Sequence, residues 1–180
     1  FRSSAGGTIC EPDDTSLDTR HLDMTYALAT LTDKFFMGNV ISGPNAADVV
    51  KMTEIIFGGR EAIEKTPATI SLINCNSPLR WDDRMLDAMF EYTSAGQAVL
   101  LTPFIMMGAM SPVTIPASLV QQIAETLSGV ALTQLIRPGA PVIFGSFLSN
   151  VDMQSGSPQF GTDRKSTRLN SSHMSESRMP

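Results

Sequence analysis

Two polar segments of this chain have the composition of a binding site. The first, Asn74-Cys75-Asn76-Ser77-Pro78-Leu79-Arg80, follows an apolar run at 68–73. Asn74, Asn76 and Ser77 offer neutral hydrogen bonds, which orient a substrate without supplying an acid or a base. An ordinary strand-to-helix turn, with Ser77-Pro78 setting an extended approach, is the competing reading. The second segment, Gly108-Ala109-Met110-Ser111-Pro112-Val113-Thr114, precedes the longest helical pattern. Gly108 permits close backbone approach, and the helix N-terminus presents free N–H groups that favour anions. A cap with a tight turn accounts for the same residues. The segment lacks Gly-Lys-Ser/Thr and is not a P-loop. Asp152 adds a carboxylate to a third polar stretch at 149–161, where it binds a cation or caps a turn.

Other reactive side chains are sparse. The histidines are His21 and His173. His21 lies in a helical pattern beside Arg20 and Asp23 and reads as a surface or packing residue, so this segment offers neither a Ser-His-Asp triad nor a His-based metal site. Cys10 and Cys75 lack metal-type spacing and are too few for a disulfide framework. Two reduced thiols fit a cytoplasmic protein. Met106, Met107 and Met110 read as pliable packing, or as an apolar wall against methyl groups if a pocket is near.

The elements that must position these residues follow a regular order. A helix is expected over 18–32, then apolar runs at 35–41, 68–73, 98–107 and 141–147. Several of these are apolar at consecutive positions, the pattern of strands buried on both faces of a parallel sheet. Helical patterns lie between them. At 45–57, started by Pro44 or Asn45 and stopped by Gly58-Gly59, the pattern groups Val49, Val50, Met52, Ile55 and Ile56. At 81–93 it groups Met85, Leu86, Met89 and Phe90, with Asp82 and Asp83 in the first turn. At 115–136, with Thr114 as cap and Pro116 in the first turn, it groups Leu119, Ile123, Leu127 and Val130. One helix per strand marks an α/β fold. No strand leads into Gly-x-Gly-x-x-Gly, and the post-strand loops are long and polar, so a (β/α)8 TIM barrel is favoured over an open doubly wound sheet. About four strand–helix units are present. On this reading Arg137-Pro138-Gly139 and most of the strand after it belong to the stability face, and Gly145 and Ser146 point toward the catalytic end.

The formal net charge is -5. Residues 163–173, DRKSTRLNSSH, read as one frame of a short-read sequencing adapter, so 163–180 is expected to be a non-native tail. That tail holds Arg164, Lys165, Arg168 and Arg178 against Asp163 and Glu176, which leaves 9 basic and 16 acidic side chains, a net -7, in residues 1–162. Such a balance argues against a nucleic-acid partner and a polybasic membrane surface. No apolar run reaches the roughly 18 residues of a membrane span. Residues 1–17 read as loop, 18–162 as a partial barrel, and truncation at both ends is expected.

Thr32-Asp33-Lys34-Phe35-Phe36-Met37-Gly38, Ser77-Pro78-Leu79-Arg80, the Gly108–Thr114 segment, Arg137-Pro138-Gly139-Ala140-Pro141-Val142 with Gly145-Ser146, and Asp152-Met153 with Gly156 together resemble the trimethylamine methyltransferase family, in order, over most of 18–162. The chain departs from that pattern at Phe36, Ser111, Gln154 and Ser155. The resemblance implies a TIM barrel that passes a methyl group from a methylated amine to the Co(I) of a corrinoid, a cobalamin carried by a partner protein. Trimethylamine and quaternary amines such as glycine betaine both remain open as substrate, and a pyrrolysine would lie downstream. A methylammonium group calls for aromatic faces and a carboxylate. Phe104, Phe147 and Asp152 are the candidates near strand ends, with Asn74, Asn76 and Ser77 as polar contacts. Gly108, Ser111 and Thr114 are expected on the loop facing the corrinoid protein. No catalytic residue is assigned, and the complete protein is expected to be a homo-oligomer. Rival readings are an aldolase- or lyase-type barrel and a non-catalytic methylammonium binder.

Overall fold

The computed structural model describes residues 11–32, 36–38, 42–151 and 158–159. Cys10, Asp152 and the 163–180 tail lie outside them. In chain order the elements are α1 (Arg20–Leu31), β1 (Phe36–Gly38), α2 (Gly43–Phe57), α3 (Arg60–Lys65), β2 (Thr69–Ile73), α4 (Asp83–Ser94), β3 (Ala98–Leu101), β4 (Phe104–Met107), α5 (Ile115–Ile136), β5 (Val142–Phe144), β6 (Phe147–Val151) and β7 (Pro158–Gln159).

Local chemistry sets the boundaries. Ser42, rather than Pro44 or Asn45, caps α2 by accepting from the Asn45 N–H at 3.5 Å. Gly58 ends it in a left-handed conformation at φ 88°, which glycine adopts without steric cost. The chain then forms the short α3, which the Gly58-Gly59 stop signal conceals. Asp82 caps α4 by accepting from the Met85 N–H at 2.8 Å. Thr114 sits at the N-cap of α5 but makes no side-chain capping bond. Pro116, in the first turn, has no N–H to offer, which removes one of the usual targets of such a bond.

β1, β2, β3 and β5 form a parallel sheet in that order. Sequential parallel neighbours with a helix between them are how a (β/α)8 barrel builds its wall, whereas a doubly wound sheet reverses order at its switch point. The long apolar runs at 98–107 and 141–147 each divide in two. The first breaks at Thr102-Pro103, where proline cannot donate to the ladder. Bonds from Gly145 N–H to Leu101 O (2.8 Å) and from Phe147 N–H to Pro103 O (3.1 Å) carry the pairing across both breaks into the parallel β4–β6 pair. Gly145 is required there, since a β-carbon would lie 2.9 Å from the Leu101 carbonyl oxygen.

The sheet has two apolar faces. Ile73, Val99 and Leu101 meet Ala46, Val49, Val50, Ile63, Met89 and Tyr92 from the helices in the main core. On the opposite face Ile70, Ala98 and Leu100 cluster with Met37 and Leu72, strand residues alone. This second face is the barrel lumen. Gly38 lies on the helix side, where a β-carbon would meet the Tyr92 hydroxyl and approach Val49 Cγ1 to 2.8 Å.

The expected helix stripes are corrected by the packing. Ile55 and Ile56 of α2 and Phe90 of α4 are exposed. In α5 the relation inverts: Ser118, Gln122, Glu125, Thr126, Gly129 and Thr133 are buried, while Ile123 and Leu127 of the expected stripe are exposed. Gly129 explains the choice of face, because a β-carbon there would come within 2.8 Å of Leu101 Cδ1 and 3.0 Å of Trp81 Cζ2. The buried hydroxyls are satisfied locally, with Thr126 donating to Gln122 O (2.9 Å) and Thr133 to Val130 O (2.7 Å), so their burial costs little.

Candidate functional site

All parallel strands end on the same side, so the loops at 74–82 and 108–114 share one rim with the end of β6. Along β3 and β4, side chains alternate between the helix side and the lumen. Leu101, Pro103, Ile105 and Met107 are buried toward the helices, which turns Thr102, Phe104 and Met106 to the lumen. Phe104 pairs in register with Phe147 of β6, and their rings stack with centroids 4.8 Å apart and planes 18° from parallel. The structure therefore brings together two residues 43 positions apart in sequence. Phe104 is 36% exposed, so its ring remains open to the lumen. Two residues along, Ser149 pairs with Met106 and is buried, its hydroxyl without a hydrogen-bond partner among the described residues.

Asn74 follows the lumen-facing Leu72 by two positions and is exposed, as is Asn76. The Asn76 N–H donates to Arg80 O at 2.8 Å and closes the loop into a narrow turn. Within it the Ser77-Pro78 bond is cis and Leu79 has φ 54°. Ser77 points away from the lumen, donating its hydroxyl to Glu125 Oε2 at 2.6 Å. Cys75 is buried with Sγ 3.1 Å from Arg80 O. Burial, reinforced by the Glu125 charge, pushes its thiol up to about 12, which keeps it protonated and unreactive.

The 108–114 loop turns at Gly108, whose φ of 87° suits glycine. Gly108 N–H donates to Ser111 O (3.0 Å), and the Ser111 hydroxyl meets the Ser118 hydroxyl at 2.7 Å. Ser118 in turn donates to Pro112 O at 2.6 Å. Gly108, Ser111 and Thr114 thus share one loop on the side of the sheet where Asn74 also lies, whereas the phenylalanine pair sits lower, where β4 and β6 begin.

Two residues that the sequence reading passed over hold this rim. Glu125 is buried beneath both loops, and its signal was available: it is the one charged residue of α5. Gln121 donates both to Glu125 Oε1 (2.9 Å) and to Met110 O (3.0 Å). At the other end of the sheet Arg137 donates to Ser94 O at 3.1 Å, where a cation meets the negative end of α4. His21 is a packing residue, buried with Nε2 3.0 Å from Asp48 Oδ2. Asp152 lies outside the described residues. Among the described residues no cluster of His, Cys, Asp or Glu has the form of a metal site, and no helix is long and apolar enough to cross a membrane.

The model of the trimethylamine methyltransferase family (MTTB) matches residues 3–174. The chain is 42% identical over 158 residues to a glycine betaine methyltransferase of Desulfitobacterium hafniense strain Y51, covering 88% of this chain and 33% of that protein. It is 32% identical over 139 residues to a trimethylamine methyltransferase of D. hafniense strain DCB-2, covering 72% of this chain and 27% of that one. Identity to a proline betaine:corrinoid methyltransferase of Eubacterium limosum is 34% over 109 residues, covering 61% and 22%. This chain therefore spans about a third or less of the length of these relatives. With a parallel, sequentially ordered strand–helix wall and a match over nearly its whole length, the chain belongs to the trimethylamine methyltransferase family.

Proposed function

We propose that this chain is part of a methyltransferase that moves a methyl group from a quaternary amine of the glycine betaine type to a corrinoid protein. The observation that carries the reading is the Phe104–Phe147 stack on the lumen face, where β4 and β6 begin just past the ends of β3 and β5. A tetraalkylammonium group has a fixed positive charge and no N–H, so aromatic faces attract it where hydrogen-bond acceptors gain little. Asn74 and Asn76, exposed in the loop after β2, are proposed as neutral polar contacts, and Asp152, outside the described residues, as the carboxylate on its sequence position alone. The higher identity to the glycine betaine enzyme than to the trimethylamine enzyme supports the choice of substrate class.

The barrel wall needs no nucleophile of its own for this reaction. The corrinoid protein would supply it, a Co(I) centre able to accept the methyl carbon with the C–N electron pair left on nitrogen. The rings and neutral polar groups of this rim fit the ammonium substrate, and cobalt ligands are not what they offer. Their work is to hold the methyl group in line with the acceptor and to exclude water. The Gly108–Thr114 loop, with Ser111, is the surface proposed to meet the corrinoid protein.

The test uses the complete gene product with cob(I)alamin and, in turn, glycine betaine, proline betaine and trimethylamine. Loss of the Co(I) absorption together with formation of the N-demethylated product is expected for glycine betaine. Transfer from trimethylamine alone would overturn the substrate assignment, and no transfer from any of them by a folded protein would overturn the activity.

A further inference from the structure

The Glu125 carboxylate has more to do than fill space. Its two oxygens accept from the Ser77 hydroxyl (2.6 Å), the Leu79 N–H (2.8 Å) and Gln121 Nε2 (2.9 Å). Gln121 reaches on to Met110 O at 3.0 Å. The residue is 2% exposed, so these bonds form out of water, where a lost acceptor is expensive. Leu79 is the one non-glycine residue at positive φ among the described residues, and its N–H is one of those Glu125 binds. Two loops far apart in sequence are thus linked through Glu125 and Gln121: the β2–α4 loop that carries Asn74 and Asn76, bonded to Glu125, and the β4–α5 loop at 108–114, bonded to Gln121.

We propose that Glu125 is a positioning residue that clamps these two loops into one rigid rim and fixes where the quaternary amine sits. The inference rests on the functional reading above for its substrate, and on the bond network for the clamp. Glu125 touches no substrate. It acts through the backbone at Leu79 and through Gln121, so its effect should appear in substrate binding before it appears in the chemical step.

Three variants of the complete gene product separate this role from simple support. Glu125→Met keeps the length and removes every acceptor. Glu125→Gln keeps one accepting oxygen for Leu79 N–H, and the Ser77 hydroxyl can turn to accept from the new amide. Gln121→Leu removes the link from Glu125 to Met110 and leaves the Glu125 bonds to Ser77 and Leu79 in place. Hydrogen exchange by mass spectrometry is read in peptides covering 77–81 and 108–112, alongside kcat and KM for glycine betaine. Glu125→Met is expected to speed exchange in both loops about tenfold and to raise KM about tenfold with a smaller change in kcat. Glu125→Gln is expected to stay within about threefold of the parent in both readouts. Gln121→Leu, which leaves the β2–α4 loop anchored, is expected to speed exchange at 108–112 and raise KM. If Glu125→Met does not fold, Gln121→Leu decides alone. Unchanged exchange at 108–112 with unchanged KM overturns the proposal, and so does a Glu125→Gln protein as impaired as Glu125→Met. Exchange reads the clamp without turnover, so a parent protein that transfers no methyl group counts against the functional reading and leaves the clamp to be judged by exchange.

Discussion

Phe104 and Phe147 face one another across adjacent parallel strands, rings 4.8 Å apart and 18° from parallel, on the side of the sheet away from the helices. Paired residues of parallel strands present their side chains to the same face, so the stack is a direct product of register. If the stack receives a quaternary ammonium group, removing the π face should weaken binding while leaving the apolar volume largely in place. Phe104→Leu is expected to raise KM for the amine between about threefold and thirtyfold, the range of one cation–π contact. Thermal denaturation of the same variant checks that the fold is retained. Unchanged KM in a stable Phe104→Leu protein would remove the stack from the binding site.

Gln97, fully buried, is the hinge of the opposite rim. Its carbonyl oxygen accepts from Ala68 N–H (2.9 Å) and Thr69 N–H (3.3 Å), and its amide donates to Ile63 O and Ala95 O, both at 2.9 Å. One side chain therefore satisfies the backbone where α3 ends, β2 begins and α4 hands over to β3. Gln97→Leu would take the side-chain partner from four backbone groups, that of Ala68 partly buried and the rest buried. A loss of about 3–5 kcal/mol is expected in urea denaturation, well beyond that of an average substitution. A loss below about 1 kcal/mol would mean that water or neighbouring groups replace the amide.

Which parts of this arrangement can be read from sequence depends on whether the signal is local. Strand–helix alternation, the α5 boundaries and the two polar rim segments are written in composition and turn residues. Phe104 and Phe147 were expected near strand ends but begin β4 and β6, because the apolar runs break at 102–103 and 145–146, and their stacking needed the register between distant strands. The buried face of α5 was not legible, because the helix is apolar on most sides and its buried hydroxyls and Glu125 carry their own hydrogen bonds into the interior. Gly129, where Trp81 and Leu101 approach, decides the face, and that contact is tertiary. Glu125 left a trace as a lone charge in a long apolar helix. That it binds Ser77 and Leu79, 48 and 46 positions away, could not be read from the sequence.

Acid should act first at the bottom of the sheet. Arg60 binds Glu64 at 2.8 Å and Glu54 at 3.0 Å and donates to Ser94 O at 2.8 Å. The hydrogen bond from Arg60 holds both carboxyl groups below their ordinary range. A carboxylate with a depressed folded pKa favours the folded state above its unfolded value, and that contribution is lost as pH falls through the folded value. The parent is therefore expected to lose stability more steeply than Arg60→Met as pH drops below about 4.5, and the difference should shrink in high salt because Arg60 is solvent-exposed. Denaturation midpoints across acidic pH, at low and high salt, check both statements. Parallel curves for the two proteins would show that the network contributes nothing.

Cys75 lies between two candidate binding residues, and its position invites a nucleophilic reading that its surroundings oppose. The thiol is buried against Arg80 O and close to the Glu125 charge, and burial first and that charge second raise it from 9.0 to about 12. At pH 8 such a shift lowers the thiolate fraction on the order of a thousandfold. Iodoacetamide is therefore expected to modify the Cys75 peptide at least about a hundredfold more slowly in the native protein than in urea, as read by peptide-resolved mass spectrometry. The same shift has a consequence for stability. The protonated thiol favours the folded state fully below 9.0, and the contribution declines as pH rises toward about 12, because the unfolded thiol ionises first. Native labelling as fast as in urea would show that the 74–80 loop opens readily, and a loop that opens readily cannot hold Asn74 and Asn76 in place for a substrate.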